Sequence, residues 1–106
     1  MARRNVIWTR TADIQFVGIL AYWVKRNKSN NYSKKLLKLV SDRTHQIAEN
    51  PLIYKATNFK STRVASLGNY SIYYQFSDTE IIITAFWDNR QSPKKLLKIL
   101  SSKNKE

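Results

Sequence analysis

Among its 106 residues the chain has no cysteine, one histidine, two glycines and two prolines. Without cysteine, disulfide frameworks and thiolate metal centres are excluded, and nothing supports secretion. With so few glycines there is no glycine-rich phosphate loop, which removes the usual nucleotide-binding motifs. The lone histidine, His45, has no second histidine to share a metal. The acids Asp13, Asp42, Asp78, Glu80 and Asp88 are scattered among caps, turns and a helix face, so no acid/base pair stands out. Neither a metal nor a cofactor is expected. Long apolar runs are missing as well. The most apolar stretch, Ile14 to Val24, falls far short of the about 20 residues a membrane helix needs. The opening MARRNVIWTR lacks the apolar core of a signal peptide. The expectation is a soluble cytoplasmic protein with no membrane partner.

Acid is scarce too. Seven Asp and Glu face nineteen Lys and Arg, a formal net charge of +12. Small soluble domains typically carry a net charge of about 2–8, so solubility alone does not account for this balance. It favours an anionic partner, whether nucleic acid, an acidic protein or an anionic membrane surface. What is present suffices for a core: 42% of residues are hydrophobic and 12% aromatic. Length and composition together predict one domain over 3–100, with a frayed tail at 101–106.

Asn5 to Trp8 is β-prone and reads as a strand buried on at least one face. Thr11 can cap a helix, with Asp13 complementing the dipole in its first turn. Phe16, Val17, Ile19, Leu20, Trp23 and Val24 then follow helical spacing, and Lys25, Arg26 and Lys28 close the element. After an Asn- and Ser-rich break, Tyr32, Leu36, Leu39, Val40, Ile47 and Ala48 define a second helix. Its polar side carries Lys38, Asp42, His45 and Glu49, and Asn50-Pro51 ends it. Leu52 to Ser61 reads as irregular. Three strands follow, Thr62 to Leu67, Tyr70 to Phe76 and Glu80 to Trp87, the first two joined by a Gly68-Asn69 turn. Ser92 and Pro93 open a short final helix. The predicted fold is α+β: a β-α-α-β-β-β sheet with the helical hairpin on one face, a short C-terminal helix, and the other face open.

The candidate functional residues are cationic and aromatic. Lys55 and Lys60 precede the sheet, Arg63 lies on a central strand, and Arg90 leaves the last one. Arginines on an open sheet can grip phosphate through two parallel hydrogen bonds, and Tyr73 offers a ring for a base to stack on. Lys94 and Lys95 on the final helix extend the basic surface. For Lys60 and Arg63 the plain alternative is a strand-edge charge; for Lys94 and Lys95 it is the wet side of a helix.

Four segments, VIWTRTADIQFVGILAYWV, the helix-ending ENP, the hairpin LGNYSIYYQFSDTEIIIT and the exit FWDNRQSP, together resemble the RelE/ParE toxins of bacterial type II toxin–antitoxin systems. The resemblance runs from about Asn5 to Leu100. It implies a toxin neutralised by a cognate antitoxin, in a toxin–antitoxin hetero-oligomer. Its target is then either DNA gyrase, as for ParE-like members, or the ribosome with its mRNA, which RelE-like members cleave. The resemblance makes Lys60, Arg63 and Arg90 the counterparts of the basic set that RelE-like members use catalytically; Lys55, Tyr73, Lys94 and Lys95 are the expected nucleic-acid contacts from the residue reading. Two departures weigh against cleavage. No tyrosine or histidine follows Arg90, and Ser71 stands where many members carry arginine. The expectation therefore tilts towards gyrase inhibition, with a metal-independent endoribonuclease as the alternative and a non-toxic RNA-binding module as a further one.

Overall fold

The structure is a computed structural model describing residues 3–101, so all of the expected tail except Ser101 lies outside the described residues. The β-prone run forms β1 (Asn5–Trp8). Helix α1 (Arg10–Asn27) begins two residues earlier than expected, because Thr9 rather than Thr11 is its cap. The Thr9 hydroxyl accepts from the backbone N–H of Ala12 at 3.2 Å. Lys28 adopts left-handed geometry and turns the chain into α2 (Asn31–Glu49). The Ser33 hydroxyl then ties the two helices, donating to the Leu20 carbonyl at 2.7 Å. Pro51 starts a single 3-10 turn, as its fixed φ favours.

Five strands form the sheet, in spatial order β1-β5-β4-β3-β2. The extra one is β2 (Lys55–Ala56), inside the stretch that reads as irregular. Both of its residues are exposed, so no apolar alternation marks it; it exists by backbone pairing to β3 (Arg63–Leu67). Gly68 supplies the positive φ for the turn into β4 (Tyr70–Phe76), which pairs with β5 (Glu80–Asp88). Only β1 runs parallel to its neighbour, β5.

The pairing of β4 with β5 shifts between Tyr73 and Tyr74: Tyr73 faces Ala85, whereas Tyr74 faces Ile83. Thr84 is the extra residue of a β-bulge, and its hydroxyl donates to the Tyr73 carbonyl at 3.2 Å. Alternation along β5 reverses there. Ile81 and Ile83 face the helical hairpin before the bulge; Phe86 and Asp88 face it afterwards. The core on that side gathers Ala12, Phe16, Leu36, Val40, Ile47, Ile72, Tyr74 and Phe86. Tyr74 is wholly buried and donates to the Pro51 carbonyl at 2.6 Å, which satisfies its hydroxyl.

The opposite sheet face is not left open. Helix α3 (Pro93–Ser101) folds back against β5, where Ala85 and Trp87 are buried outside the main core. A strand bearing apolar residues on both faces needs cover on both, and β5 is such a strand. Ser92 starts α3 as expected, its hydroxyl accepting from the Lys94 N–H at 3.2 Å. No helix among the described residues is long and apolar enough to cross a membrane.

Candidate target-binding site

Asp88, last residue of β5, faces the hairpin because of the Thr84 bulge, and it fixes the arginine two residues on. The Asp88 carboxylate accepts from Arg90 Nε at 2.9 Å and from Nη2 at 2.8 Å. It also accepts from the Arg90 backbone N–H at 2.9 Å. The planar fork is thereby held in one orientation. It lies over two rings, 6.0 Å from the Trp23 centroid and 5.9 Å from that of Tyr70. Trp23 and Tyr70 are joined in turn, the indole N–H donating to the Tyr70 hydroxyl at 2.9 Å. The hydrogen bonds from Arg90 hold the Asp88 carboxyl below its ordinary pKa, and Asp88 pushes the arginine further up. Arg90 is a permanent cation, clamped by a carboxylate and backed by two aromatic rings.

Its surroundings form a cavity of about 640 Å³ between α1 and the end of β5, lined among others by Gly18, Tyr22, Trp23, Arg26 and Gln91. The edge of β5 is free of a strand here because β1 has ended. Gln15 of α1 covers part of that edge, its side-chain oxygen accepting from the Phe86 N–H at 2.9 Å.

Arg63 sits elsewhere. It donates through Nη1 to the Tyr54 carbonyl at 2.6 Å and lies beside Tyr74. Tyr74 pairs with Arg63, and Tyr70 pairs with Asp88. At about 3.3 Å per residue the positions of Arg63 and Asp88 are therefore separated by about 13 Å along β4, and by two strand spacings, about 10 Å, across the sheet, with Arg90 two residues beyond Asp88. Lys60 belongs to the Arg63 end, exposed in the turn closed by the Thr62 N–H donating to the Phe59 carbonyl at 3.1 Å. Next to it Ser61 takes a positive φ of 57°.

A third locus lies under α3. Lys55 and Tyr73 line a groove of about 440 Å³ with Val64, Leu96, Leu97 and Leu100. Burial raises the Tyr73 phenol above its ordinary pKa. Lys94 and Lys95 are exposed on α3 and do not line that groove. Ser71, on the same sheet face, is buried and donates to the Asn89 side-chain oxygen at 2.9 Å. His45 is exposed on α2, its Nδ1 at 2.8 Å from the Ser41 carbonyl.

The structure thus brings Lys60 near Arg63, and Lys55 to Tyr73, but keeps Arg90 apart from both groups. The residues around Arg90 that sequence reading did not single out are Asp88, Trp23, Tyr70, Tyr22 and Arg26. The Asp-Asn-Arg spacing was the available signal, since a carboxylate two residues before an arginine at a strand exit can clamp it.

These features define a small basic α+β protein with a clamped arginine at the end of its longest strand. A family model described as the ParE toxin of the type II toxin–antitoxin system parDE matches residues 6–93, and the chain belongs to this family of RelE/ParE toxins. Among solved structures it is similar to a chain of the chromosomal ParDE toxin–antitoxin system from P. aeruginosa. That likeness has a TM-score of 0.68 at 15% identity, covers 79% of this chain and 94% of the other, and concerns the fold. No curated protein matches by sequence.

Proposed function

We propose that this toxin arrests growth by binding and inhibiting DNA gyrase in the cytoplasm, and that a cognate antitoxin neutralises it. The observation that carries the choice of target is the separation of Arg90 from Arg63 and Lys60. Cleaving RNA requires one phosphate to be gripped while a proton leaves the 2′-hydroxyl and another reaches the leaving oxygen. General acid–base help of that kind is typically worth about 10²–10⁴-fold. Arg90 is clamped by Asp88 and Arg63 is tied to the Tyr54 carbonyl, at sheet positions four residues along β4 and two strands apart. Burial raises the Tyr73 pKa above that of an ordinary phenol, so still less of it is present as the phenolate that a base requires. His45 is on the outer face of α2. The same residues serve well as binding contacts: Arg90 as a rigid anchor, Lys60 and Arg63 as a second cationic point, Lys55 and Tyr73 under α3, and Lys94 and Lys95 on its surface.

A supercoiling assay with purified toxin and gyrase, run beside primer extension on cellular mRNA after induction, tests the reading. Inhibited supercoiling with intact mRNA is expected. Cuts within translated codons with unaffected gyrase would overturn it and make Arg90, Arg63 and Lys60 candidates for catalysis. The antitoxin is expected to be acidic and to present an amphipathic helix. It would match the net charge of +12 and the apolar side chains that α1 leaves in solvent, among them Ile14 and Val17.

A further inference from the structure

We propose that Ser71 and Asn89 are positioning residues for Arg90. Their hydrogen bond, on the α3 face of the sheet, hangs the turn that carries Arg90 from β4 and so holds the guanidinium over the cleft on the other face. The consequence for gyrase rests on the function proposed above; the geometry does not.

Arg90 lies beyond the end of β5, in a turn of its own. The Gln91 N–H donates to the Asp88 carbonyl at 2.9 Å and closes the turn. Inside it the Arg90 N–H donates to the Asp88 carboxylate, an arrangement that aspartate favours at the first position of a turn. Both bonds are internal. They fix Arg90 relative to Asp88 but leave the turn free to tilt against the sheet. Nothing after it supplies the missing support: Asn89, Arg90 and Gln91 are exposed, and α3 has no fully buried side chain.

The tilt is set from β4 and the turn before it. Three consecutive residues there each hold one part of the Arg90 turn. The Asn69 carbonyl accepts from the Asn89 N–H at 2.8 Å. The Tyr70 ring lies under the guanidinium, 5.9 Å from centroid to Cζ. The Ser71 hydroxyl donates to Asn89 Oδ1 at 2.9 Å. Asn89 is thereby pinned twice, by its backbone and by its side chain. One bond is a pivot; a second, off its axis, stops the swing. Ser71 is buried, so water competes little for this second bond. Neither Ser71 nor Asn89 lines the cleft, so neither can act by touching what Arg90 touches.

Ser71→Ala and Asn89→Ala each remove the side-chain bond and keep the Asn89 N–H. The first readout needs only the toxin: titration of the Asp88 carboxyl carbon followed by NMR. Arg90 holds that carboxyl below its ordinary value, so a loosened turn should let its pKa rise towards about 3.9 in either variant. Arg26, the other cation lining the cleft, stands on α1 and is untouched by both changes. The second readout is gyrase inhibition, which should fall roughly two- to tenfold in each variant, the loss expected for one hydrogen bond. Ser71→Ala combined with Asn89→Ala should lose no more than either alone, because both remove the same bond. In an Arg90→Ala background Ser71→Ala should cost nothing further, an outcome that general damage to the fold would not give. An Asp88 titration unchanged in both variants would overturn the proposal. So would a Ser71→Ala loss of inhibition that persists without Arg90. A shifted titration in a toxin that leaves gyrase unaffected would uphold the positioning role and sink the gyrase reading alone.

Discussion

Arg90 shows how much of one residue's behaviour is decided by its neighbours. Asp88 fixes its plane and Trp23 and Tyr70 back it, so little side-chain entropy is left to lose when a target arrives. Arg90→Ala should therefore weaken the proposed inhibition of gyrase about ten- to a hundredfold, the loss expected for one charge-assisted contact. Circular dichroism should be unchanged, because the side chain is 52% exposed. Arg90→Lys should recover little, since an ammonium has no fork to match Asp88. Asp88 offers a pH test. Its folded pKa is depressed, so its contribution to stability is present above the ordinary carboxylate value of about 3.9 and is lost as pH falls through the lower folded value. Asp88→Asn should be slightly less stable than wild type at neutral pH, by no more than about 1 kcal/mol. The gap should close in strong acid. A constant gap at all pH values would mean that Asp88 acts by shape rather than charge.

At the level of elements, the helices were legible because their apolar spacing is repeated over many turns, and β1, β3, β4 and β5 because each is a β-prone run, the last three set off by turn residues. Three features were not. The cap on Thr9 and the one on Thr11 look alike in sequence, two threonines ahead of one apolar run, and tertiary pairing of Thr9 with Ile83 decides between them. Strand β2 has two exposed residues and no pattern to read. The bulge at Thr84 adds one residue to an apolar run in which every position is already hydrophobic or small, so the reversal leaves no trace. For the site, the cationic residues were visible individually, but their division into separate groups follows from that reversal and from pairings across the sheet. Helix α3 extends beyond the segment that the family model matches, and it packs through few side chains. Leu96→Asp should detach it. Hydrogen exchange should then show α3 amides unprotected while the β4–β5 pair stays protected, since that pair is held between β1 and β3. Loss of protection throughout the sheet would make α3 part of the folding unit.

For the molecule as a whole, charge dominates. A net charge of +12 repels itself in the compact state and attracts an acidic partner from a distance. The complex with the antitoxin should melt higher than the toxin alone, because a ligand that binds only the native state stabilises it. Raising salt should slow association more than it speeds dissociation, as stopped-flow mixing would show. An association rate indifferent to salt would mean that apolar burial alone guides the encounter.

Thr84 makes the chain's tolerance to error uneven in kind. Its hydroxyl contributes one hydrogen bond to Tyr73, so Thr84→Ser or Thr84→Val should fold with modest loss. Deleting the same residue restores an unbroken alternation, and one half of β5 must then present its inner residues outward. Phe86 would exchange faces with Trp87, and Asp88 would leave the cleft, or else Ile81 and Ile83 would leave the core. In a scan of codon changes and in-frame single-codon losses along β5, this position should accept the first and refuse the second. Selection on such a strand acts on its count of residues more strictly than on their identity.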